Sequence, residues 1–590
     1  MTETTGCDKK VPFMKGAKVI AESLKREKVK NIFGITGGAI MILYDALQEY
    51  EKAGELNNIL CRHEQVAAHA AEGYARASGE VGVCMATSGP GATNLVTGIA
   101  DAWMDSSSVV ALTGQVATSL IGGDAFQEAD IIGITMPIVK SSFQIRRVKD
   151  IPLIIKMAFQ LARTGRPGPV LVDLPKDIQV GEDEVYFYEG ELEIAGYNPN
   201  IKGHPLQIKR AAKALLEAER PLIIAGGGVT ASNASPELIE LVEMLGIPVV
   251  TTLMGKGTIP EDHPYCLGMV GMHGKMCANL NINKADVILA VGMRFDDRVT
   301  ADLTTFLTES KIIHIDIDSA EISKNVLVDY PIVGDAKTVL RQLIEGLKTL
   351  ITSSSSNSDK KTAWQKRIKE MREACDCLEE YEPVTPIKPQ YIMKELQKVL
   401  DDDSIVVTGV GRNQMWAAHH LRIRKPRRFI SSGGLGTMGF GFPASLGAKV
   451  AKPDSWVVDV DGDGSFLMTH QDLATSFVEN IPVTVIILDD RSLGMVRQWQ
   501  SLFFEKRFVE TDLGTVPDFV KITEAYGLEG IRIENPSEIG PALREAKKAD
   551  HTVVIDIAVD KNENVFPMVP AGGSTDQPIP CEPWPRRYKK

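Results

Sequence analysis

Residues 456–465 read WVVDVDGDGS, an apolar run that ends in a Gly-Asp-Gly-Ser turn. A second apolar run, Val483–Leu488, comes just before Asp490, which lies 27 positions after Asp463. A helical segment separates the two runs, so they are predicted to be neighbouring strands of one parallel sheet. Both acids then lie at the carboxyl edge of that sheet, where open α/β sheets bind their ligands.

The residue types at this edge indicate a site for Mg²⁺ and a diphosphate. Carboxylates supply the hard oxygen ligands that Mg²⁺ prefers, and glycines let backbone N–H groups approach a phosphate closely. A Gly-Asp-Gly turn alone is explained equally well by an aspartate that caps a helix. The spacing of the two strands favours the metal site, with Asp463 and Asp490 as ligands and Gly462, Gly464 and Ser465 beside the phosphates.

The chain as a whole predicts an α/β fold with three doubly wound parallel-sheet domains. A polar stretch at about 190–205 ends the first region, and a serine run at 353–356 followed by a charged helix at 360–380 indicates an exposed linker before the third. We place the domains at residues 1–190, 205–350 and 384–575, and the first and third are candidates for one shared topology. The predicted strands are Asn58–Cys61, Val81–Ala86, Ser108–Leu112 and Pro169–Leu174, then Leu222–Ala225, Pro248–Thr252, Val287–Val291 and Ile312–Ile315, then Ile405–Thr408, Trp456–Val460 and Val483–Leu488.

Composition excludes several classes of partner. The 590 residues carry a formal net charge of −12, which argues against nucleic acid. No apolar run reaches the roughly 18 residues that a membrane span needs, and Met1–Lys15 lacks the apolar core of a secretory signal. Eight scattered cysteines without a metal-binding spacing favour reduced thiols and a cytoplasmic location.

Several longer segments resemble one enzyme family. They include RHEQVAAHAAEGYARASG at 62–79, TSGPGATN at 87–94, GMVGMHG at 268–274, VGMRFDDRVT at 291–300 and GMVRQWQ at 494–500. In combination they resemble the catalytic large subunits of acetohydroxyacid synthase, also called acetolactate synthase, which depend on thiamine diphosphate, Mg²⁺ and FAD. The resemblance runs from about residue 15 to residue 579.

The resemblance gives Glu64 a role that its position alone does not. A glutamate at the start of an Ala-rich helix is by itself a first-turn acid favoured by the helix dipole. In the family the matching glutamate hydrogen-bonds to the pyrimidine ring of the cofactor and activates it, which requires a dry pocket. The resemblance implies further thiamine contacts at Gly38, Gly411, Gly436 and Met438, and a third metal ligand at the backbone carbonyl of Ser492.

The resemblance also implies a pocket for the substrates. Phe126, Gln127, Lys176, Met495 and Trp499 match the family's pocket positions. Arg298 is a candidate for the carboxylate of the incoming substrate, because a planar guanidinium binds a carboxylate through two hydrogen bonds. The alternative for Arg298 is a surface ion pair with Asp296 or Asp297.

The middle region resembles the family's FAD domain. Gly226–Gly228 follows a strand and can admit a dinucleotide phosphate, although the triplet is not a complete dinucleotide motif. Asp316 ends a strand and is placed to accept a ribose hydroxyl. The implied flavin contacts are Arg166, Thr252, Leu253, Met272, His273, Gly292, Arg294, Arg298, Val299, Asp316, Asp335 and Ala336. FAD is expected to be structural, because the reaction has no net redox change.

Three positions depart from the family. Asp490 stands where an asparagine is usual, which predicts tighter and more pH-sensitive Mg²⁺ binding. Arg412 and Asn413 stand where Gln-His is common, and Arg412 could pair with phosphate and offset the charge of Asp490. Thr36 stands where a proline usually precedes the two glycines.

The resemblance implies that the enzyme decarboxylates pyruvate and joins the two-carbon unit to a second 2-oxoacid. Pyruvate as acceptor gives 2-acetolactate and 2-oxobutyrate gives 2-aceto-2-hydroxybutyrate, in valine, leucine and isoleucine biosynthesis. The implied assembly is a homodimer or larger with shared active sites, together with a small regulatory subunit. The alternatives are a pyruvate oxidase-like enzyme and, from another class, a non-catalytic dinucleotide-binding protein.

Overall fold

A computed structural model describes residues 7–351, 358–375, 381–515 and 517–579. Three six-stranded parallel sheets follow one another along the chain, with one additional two-stranded antiparallel ribbon. Helices cover both faces of each large sheet: Val83 and Met85 of one strand face one apolar cluster, whereas Cys84 and Ala86 face another. The predicted α/β class with doubly wound sheets is therefore confirmed. The serine run at 353–356 and the tail at 581–590 lie outside the described residues.

The N-terminal sheet has the strand order β3-β2-β4-β5-β7-β6. The predicted strands of this region begin within one residue of the observed ones and end within three. Its strands are β2 Asn31–Gly34, β3 Asn57–Leu60, β4 Gly82–Ala86, β5 Val109–Gln115, β6 Ser141–Gln144 and β7 Val170–Pro175, and the ribbon pairs β1 Cys7–Lys15 with β8 Glu182–Tyr188. The helices are α1 Gly16–Arg26, α2 Met41–Lys52, α3 Glu64–Ser78, α4 Pro90–Asn94, α5 Val96–Met104, α6 Ile131–Thr135, α7 Ile151–Arg163 and α8 Lys176–Val180.

The middle sheet has the order β11-β10-β9-β12-β13-β14, which is the order of a dinucleotide-binding Rossmann sheet. Its strands are β9 Pro221–Ala225, β10 Val249–Thr251, β11 Cys266–Met269, β12 Val287–Val291, β13 Lys311–Asp316 and β14 Tyr330–Val333. The helices are α9 Pro205–Glu217, α10 Gly227–Ala231, α11 Ser235–Leu245, α12 Met276–Ile282, α13 Asp297–Thr300, α14 Ala336–Ile351 and α15 Ser358–Ala374. The crevice between β9 and β12 is where the strand order reverses.

Helix α15 corrects the prediction of an exposed linker at 360–380. Trp364, Ile368 and Met371 are buried and join the apolar cluster on one face of the middle sheet. Trp364 Nε1 also donates a hydrogen bond to the carbonyl oxygen of Pro221, 3.0 Å away. The three apolar residues share one helix face among many charged ones, so the linker composition concealed a packed helix. Residues 376–380 of the predicted helix lie outside the described part of the chain.

The C-terminal sheet has the order β16-β15-β17-β18-β20-β19, the same pattern as the N-terminal sheet. The prediction of a shared topology for the first and third regions is thus confirmed. The strands are β15 Ile405–Thr408, β16 Phe429–Ser431, β17 Val457–Gly462, β18 Thr484–Asp489, β19 Glu529–Ile533 and β20 Val553–Ala558. The helices are α16 Pro389–Val399, α17 Arg412–His420, α18 Gly441–Ala451, α19 Asp463–Phe466, α20 Leu473–Val478, α21 Gly494–Phe503, α22 Phe519–Ala525 and α23 Ile539–Ala546.

The N-terminal and C-terminal regions pack through helices α3 and α18. The backbones come so close that a Cβ atom added at Gly447 would lie 1.8 Å from the carbonyl oxygen of Ala70. A Cβ atom at Gly73 would lie 2.1 Å from the carbonyl oxygen of Ala444. The two glycines therefore fix how the helices cross, and one apolar cluster runs through both regions. In the described ranges, no helix combines the length and apolar character needed to cross a membrane.

Candidate active site

Strands β17 and β18 are neighbours, and they bring two acids to one cavity. Gly462 at the end of β17 pairs with Leu488 of β18, so Asp463 and Asp490 both follow closely after the ends of the ladder. Both side chains are buried. The cavity brings together most of the residues predicted around the metal and the diphosphate, namely Gly411, Met438, Gly462, Asp463, Gly464, Ser465, Asp490 and Ser492, together with Met495.

Burial and neighbouring acids make this a site of concentrated negative charge. Burial first, and then the charges of Asp490 and Asp489, raise the pKa of Asp463 to about 8. Buried carboxylates side by side are costly unless a proton or a cation balances them. Buried oxygen donors in a glycine-lined cavity fit Mg²⁺, which prefers oxygen ligands. The residues present therefore suit a metal-bound diphosphate.

Arg412, at the start of α17, is held inside this cavity by Asp490. The guanidinium Nη2 lies 2.5 Å from Asp490 Oδ2, and Nη1 donates to the carbonyl oxygen of Glu563 at 2.6 Å. Both side chains of the pair are almost fully buried, with exposures of 2% for Arg412 and 7% for Asp490. The structure thus shows Arg412 offsetting the charge of Asp490 directly, and the predicted contact of Arg412 with phosphate stays a prediction.

Hydrogen bonds fix the segment that carries Met438. Gly439 N donates to Ser465 Oγ at 3.0 Å, and the Ser465 hydroxyl in turn hydrogen-bonds to Asp461. Asp461 is fully buried, and burial raises its pKa to about 7. The Ser465 side chain is thus used within the protein, and the neighbouring N–H of Gly464 donates to Asp463 Oδ1 at 2.9 Å.

Helix α5 holds the same segment from the N-terminal side. Asp101 Oδ1 accepts hydrogen bonds from Ser432 Oγ at 2.6 Å and from Thr437 Oγ1 at 3.1 Å. Asp105, one turn later, accepts from the backbone N–H groups of Gly433 and Gly434. Sequence reasoning missed Asp101, Asp105 and Asp461, because only the packing of α5 and β17 against this segment reveals what they contact.

Glu64 is the first residue of α3 and follows β3 at the carboxyl edge of the N-terminal sheet. Its Oε2 accepts a hydrogen bond from Asn94 Nδ2 at 3.0 Å. The side chain is partly exposed rather than enclosed. One chain, over the residues described, therefore does not form the dry pocket that the cofactor-activating role requires.

The other predicted catalytic positions on the N-terminal region are also open. Gly38 follows β2 and has free space around its Cα, Lys176 is exposed at the start of α8, and Phe126 is 87% exposed. Gln127 has a left-handed backbone with a φ of 59°, which a non-glycine residue adopts at a cost. None of these four residues lines the cavity of Asp463 and Asp490 within the described chain, whereas Met495 of α21 does.

The middle sheet and the N-terminal region enclose a larger cavity of about 350 Å³. Its floor is backbone: a Cβ atom at Gly292 would lie 2.6 Å from the Cα of Gly228, so two glycine turns touch at the strand-order reversal. Seven of the predicted flavin contacts line it, namely Arg166, Thr252, Gly292, Arg294, Asp316, Asp335 and Ala336. Leu253, Met272, His273, Arg298 and Val299 are not among its lining residues.

Some charged side chains in this cavity already have ion-pair or hydrogen-bond partners within the protein. Arg166 pairs with Asp318 at 3.1 Å and with Glu321 at 2.8 Å. Burial raises the pKa of Asp316 to about 7, and its Oδ1 accepts the N–H of Asp318 at 2.8 Å. A glycine-floored crevice with an acid at a strand end fits a dinucleotide such as FAD.

Comparisons with known proteins identify the family. The N-terminal, central and C-terminal domain models of thiamine pyrophosphate enzymes match residues 14–134, 208–343 and 409–557. A probable acetolactate synthase large subunit of Methanocaldococcus jannaschii is 53% identical over 581 residues, covering 97% of this chain and 96% of that protein. The acetolactate synthase isozyme 3 large subunit of Escherichia coli is 46% identical over 570 residues, covering 96% and 98%. The chain belongs to the acetolactate synthase large-subunit family. The resemblance inferred from the sequence is thereby confirmed.

Arg298, a predicted substrate-pocket residue, also lies apart from both cavities. Its Nη1 is 3.8 Å from Asp297 Oδ2, and both side chains are more than half exposed. The same nitrogen lies 3.5 Å from the sulfur of Met272. In one chain Arg298 thus forms the surface ion pair that was the alternative for it, and its substrate role stays a prediction.

Proposed function

We propose that the chain decarboxylates pyruvate and joins the two-carbon unit to a second 2-oxoacid. Pyruvate as acceptor gives 2-acetolactate, and 2-oxobutyrate gives 2-aceto-2-hydroxybutyrate, which are early compounds of valine, leucine and isoleucine synthesis. The observation that carries this proposal is the buried pair Asp463 and Asp490 in a glycine-lined cavity, in a chain that retains Glu64. Family membership supports the same reaction.

We assign Mg²⁺ to Asp463, Asp490 and the backbone carbonyl of Ser492. When bound, thiamine diphosphate supplies the electron sink that makes loss of CO₂ from a 2-oxoacid feasible. The chain's part is to hold the diphosphate on backbone N–H groups near Gly464, to support the cofactor with Met438, and to hydrogen-bond the pyrimidine with Glu64.

Substrate selection is assigned to side chains from both regions. Met495 and Trp499 lie one turn apart on α21, and Met495 lines the diphosphate cavity. Together with Phe126, Gln127 and Lys176 they are proposed to shape the space for the second 2-oxoacid and exclude water. Arg298 is proposed to bind the carboxylate of that acid.

FAD is assigned to the cavity between the N-terminal region and the middle sheet. Its glycine floor and the acid Asp316 suit a dinucleotide, and Arg166 and Arg294 provide positive charge beside it. Because joining two 2-oxoacids needs no net transfer of electrons, the flavin is proposed to stabilise the protein. A pyruvate oxidase would instead use the flavin for redox chemistry.

We propose a homodimer or larger assembly in which Glu64 of one subunit meets Asp463 of another. The partly exposed Glu64 and the exposed apolar side chains of Leu60, Phe126 and Phe477 support this, because a second copy would cover them. The relatives named as large subunits support a small regulatory subunit as a further partner.

The test is acetolactate formation by the purified protein. With pyruvate we expect product only when thiamine diphosphate and Mg²⁺ are present, and no reduction of an artificial electron acceptor. Glu64→Gln should abolish product, whereas Glu49→Gln, on the exposed face of α2, should not. Acceptor reduction in place of acetolactate would favour the oxidase alternative, and full activity of Glu64→Gln would refute the role of Glu64.

A further inference from the structure

The diphosphate cavity contains a buried ion pair that the proposed reaction does not require. Asp490 is a proposed metal ligand, yet Arg412 lies 2.5 Å from its Oδ2. A positive charge beside a cation site normally opposes metal binding. The pair therefore needs an explanation specific to this chain.

Arg412 is fixed from several sides. Besides Asp490, it donates to the carbonyl oxygens of Lys561 and Glu563, and its guanidinium carbon lies 5.4 Å from the centre of the Trp416 ring. The backbone of Gly494 packs directly against the pair, because a Cβ atom there would be 2.4 Å from Arg412 Nε and 2.8 Å from Asp490 Oδ2. Gly494 begins α21, so the pair is also the surface on which this helix starts.

Two of the three acids near this cavity are paired with an arginine. Asp463 and Asp490 line the cavity, and the buried Asp489 ends β18 directly before Asp490. Asp489 is paired with Arg532 at 2.7 Å, and Asp490 is paired with Arg412. Within the described ranges, Asp463 alone of the three has no ion pair with a lysine or arginine. A cation at this edge thus meets one carboxyl group without an ion-pair partner rather than three.

We propose that Arg412 and Asp490 act as a single neutral unit in metal binding. Arg412 pairs with Oδ2 and cancels the charge. Oδ1 accepts a hydrogen bond from Ser492 Oγ at 2.5 Å, and its second lone pair can serve as the oxygen that a neutral amide would offer. Arg412 is thus a positioning residue for the metal ligand and for the start of α21. The inference rests on the proposed Mg²⁺ site, and it makes the effect of Asp490 on Mg²⁺ binding depend on Arg412.

A double-mutant cycle tests the unit with Arg412→Gln, Asp490→Asn and the double variant. In thermal unfolding without cofactors, each single change should lower the unfolding temperature, because it leaves one buried charge unpaired. The double variant should recover most of that loss, since neither charge remains. If Arg412→Gln alone does not fold but the double variant does, the recovery of folding is the same result.

Mg²⁺ titration in the presence of thiamine diphosphate, followed by calorimetry, gives the second readout. Asp490→Asn should weaken Mg²⁺ binding at least about tenfold, because an unpaired guanidinium then faces the cation. Arg412→Gln should not weaken it, and the double variant should bind within about threefold of wild type because the local charge is restored. Arg532→Gln is the control, since it breaks the neighbouring, partly exposed Arg532–Asp489 pair and should leave the Arg412–Asp490 coupling unchanged.

Two results would refute the proposal that Arg412 and Asp490 act as one neutral unit. One is a double variant whose loss of stability equals the sum of the two single losses. The other is an Asp490→Asn variant that binds Mg²⁺ as wild type does. The two experiments measure Mg²⁺ binding and folding, so their results do not depend on acetolactate formation. A wild type that binds Mg²⁺ with thiamine diphosphate but makes no acetolactate would refute the proposed reaction and leave this inference intact.

Discussion

Gly447→Ala should disrupt the contact between helices α3 and α18. The added methyl group would lie 1.8 Å from the carbonyl oxygen of Ala70 and 2.8 Å from the backbone nitrogen of Tyr74. Both atoms belong to the backbone of α3, which cannot turn aside as a side chain can. The helices must therefore move apart over a closely packed interface.

The magnitude follows from two opposing effects. Overpacking a close-packed interior costs about 1–3 kcal/mol, and a clash with backbone belongs at the upper end of that range. Alanine recovers about 1 kcal/mol through its higher helix propensity. We therefore expect Gly447→Ala to lose about 2 kcal/mol of stability.

The matched control is Gly346→Ala in helix α14. There the added methyl group meets only Ile208 and Ala212, at 3.8 and 3.9 Å, which are ordinary contacts. Helix propensity then acts alone and should stabilise by up to about 1 kcal/mol. Thermal unfolding at one scan rate should show the two variants shifted in opposite directions. A Gly447→Ala protein that unfolds at or above the wild-type temperature would contradict the described crossing.

Three further predictions concern pH and the two cofactor cavities. Burial lowers the pKa of His69 to about 3, so the stability present above the unfolded pKa of about 6.5 is lost as the pH falls. Between pH 7 and pH 5 the loss should be about 2 kcal/mol, and His69→Gln should flatten the plot of unfolding temperature against pH. Thr437→Val removes the hydrogen bond to Asp101, and the thiamine diphosphate concentration for half activation should rise about fivefold while kcat at saturation stays unchanged. Gly292→Ala combines a φ of 57° with a methyl group 2.6 Å from Gly228 Cα, so the purified protein should lose flavin absorbance; full retention would argue against this turn as the dinucleotide contact.

Buried parallel strands could be predicted from the sequence because they are continuous apolar runs. Strand β12 lies at Val287–Val291 as predicted, β9 begins one residue before its prediction, and β13 is one residue longer than predicted at each end. The strand at Ser141–Gln144 was not predicted, because it is a short, partly buried and mostly polar edge strand without an apolar run.

The site was predictable where strand order alone brings residues together. Asp463 and Asp490 share a cavity because β17 and β18 are adjacent, which their spacing suggested. The partner of Arg412 was not decided by sequence, because Arg412 follows a third strand and the direction of its side chain depends on Gly494 and Glu563. Whether Glu64 joins the same site stays a prediction, because within the described chain it is partly exposed and lies outside this cavity.

The way α15 caps the middle sheet has a practical consequence for dissecting this enzyme. A fragment that ends at residue 351 would lose Trp364, Ile368 and Met371. It would expose the apolar surface of the middle sheet that these residues cover near Pro221. Such a fragment should aggregate during purification, whereas a fragment extended to residue 375 keeps the helix that covers this apolar surface. The boundary between the middle and C-terminal regions therefore lies after this helix, not before it.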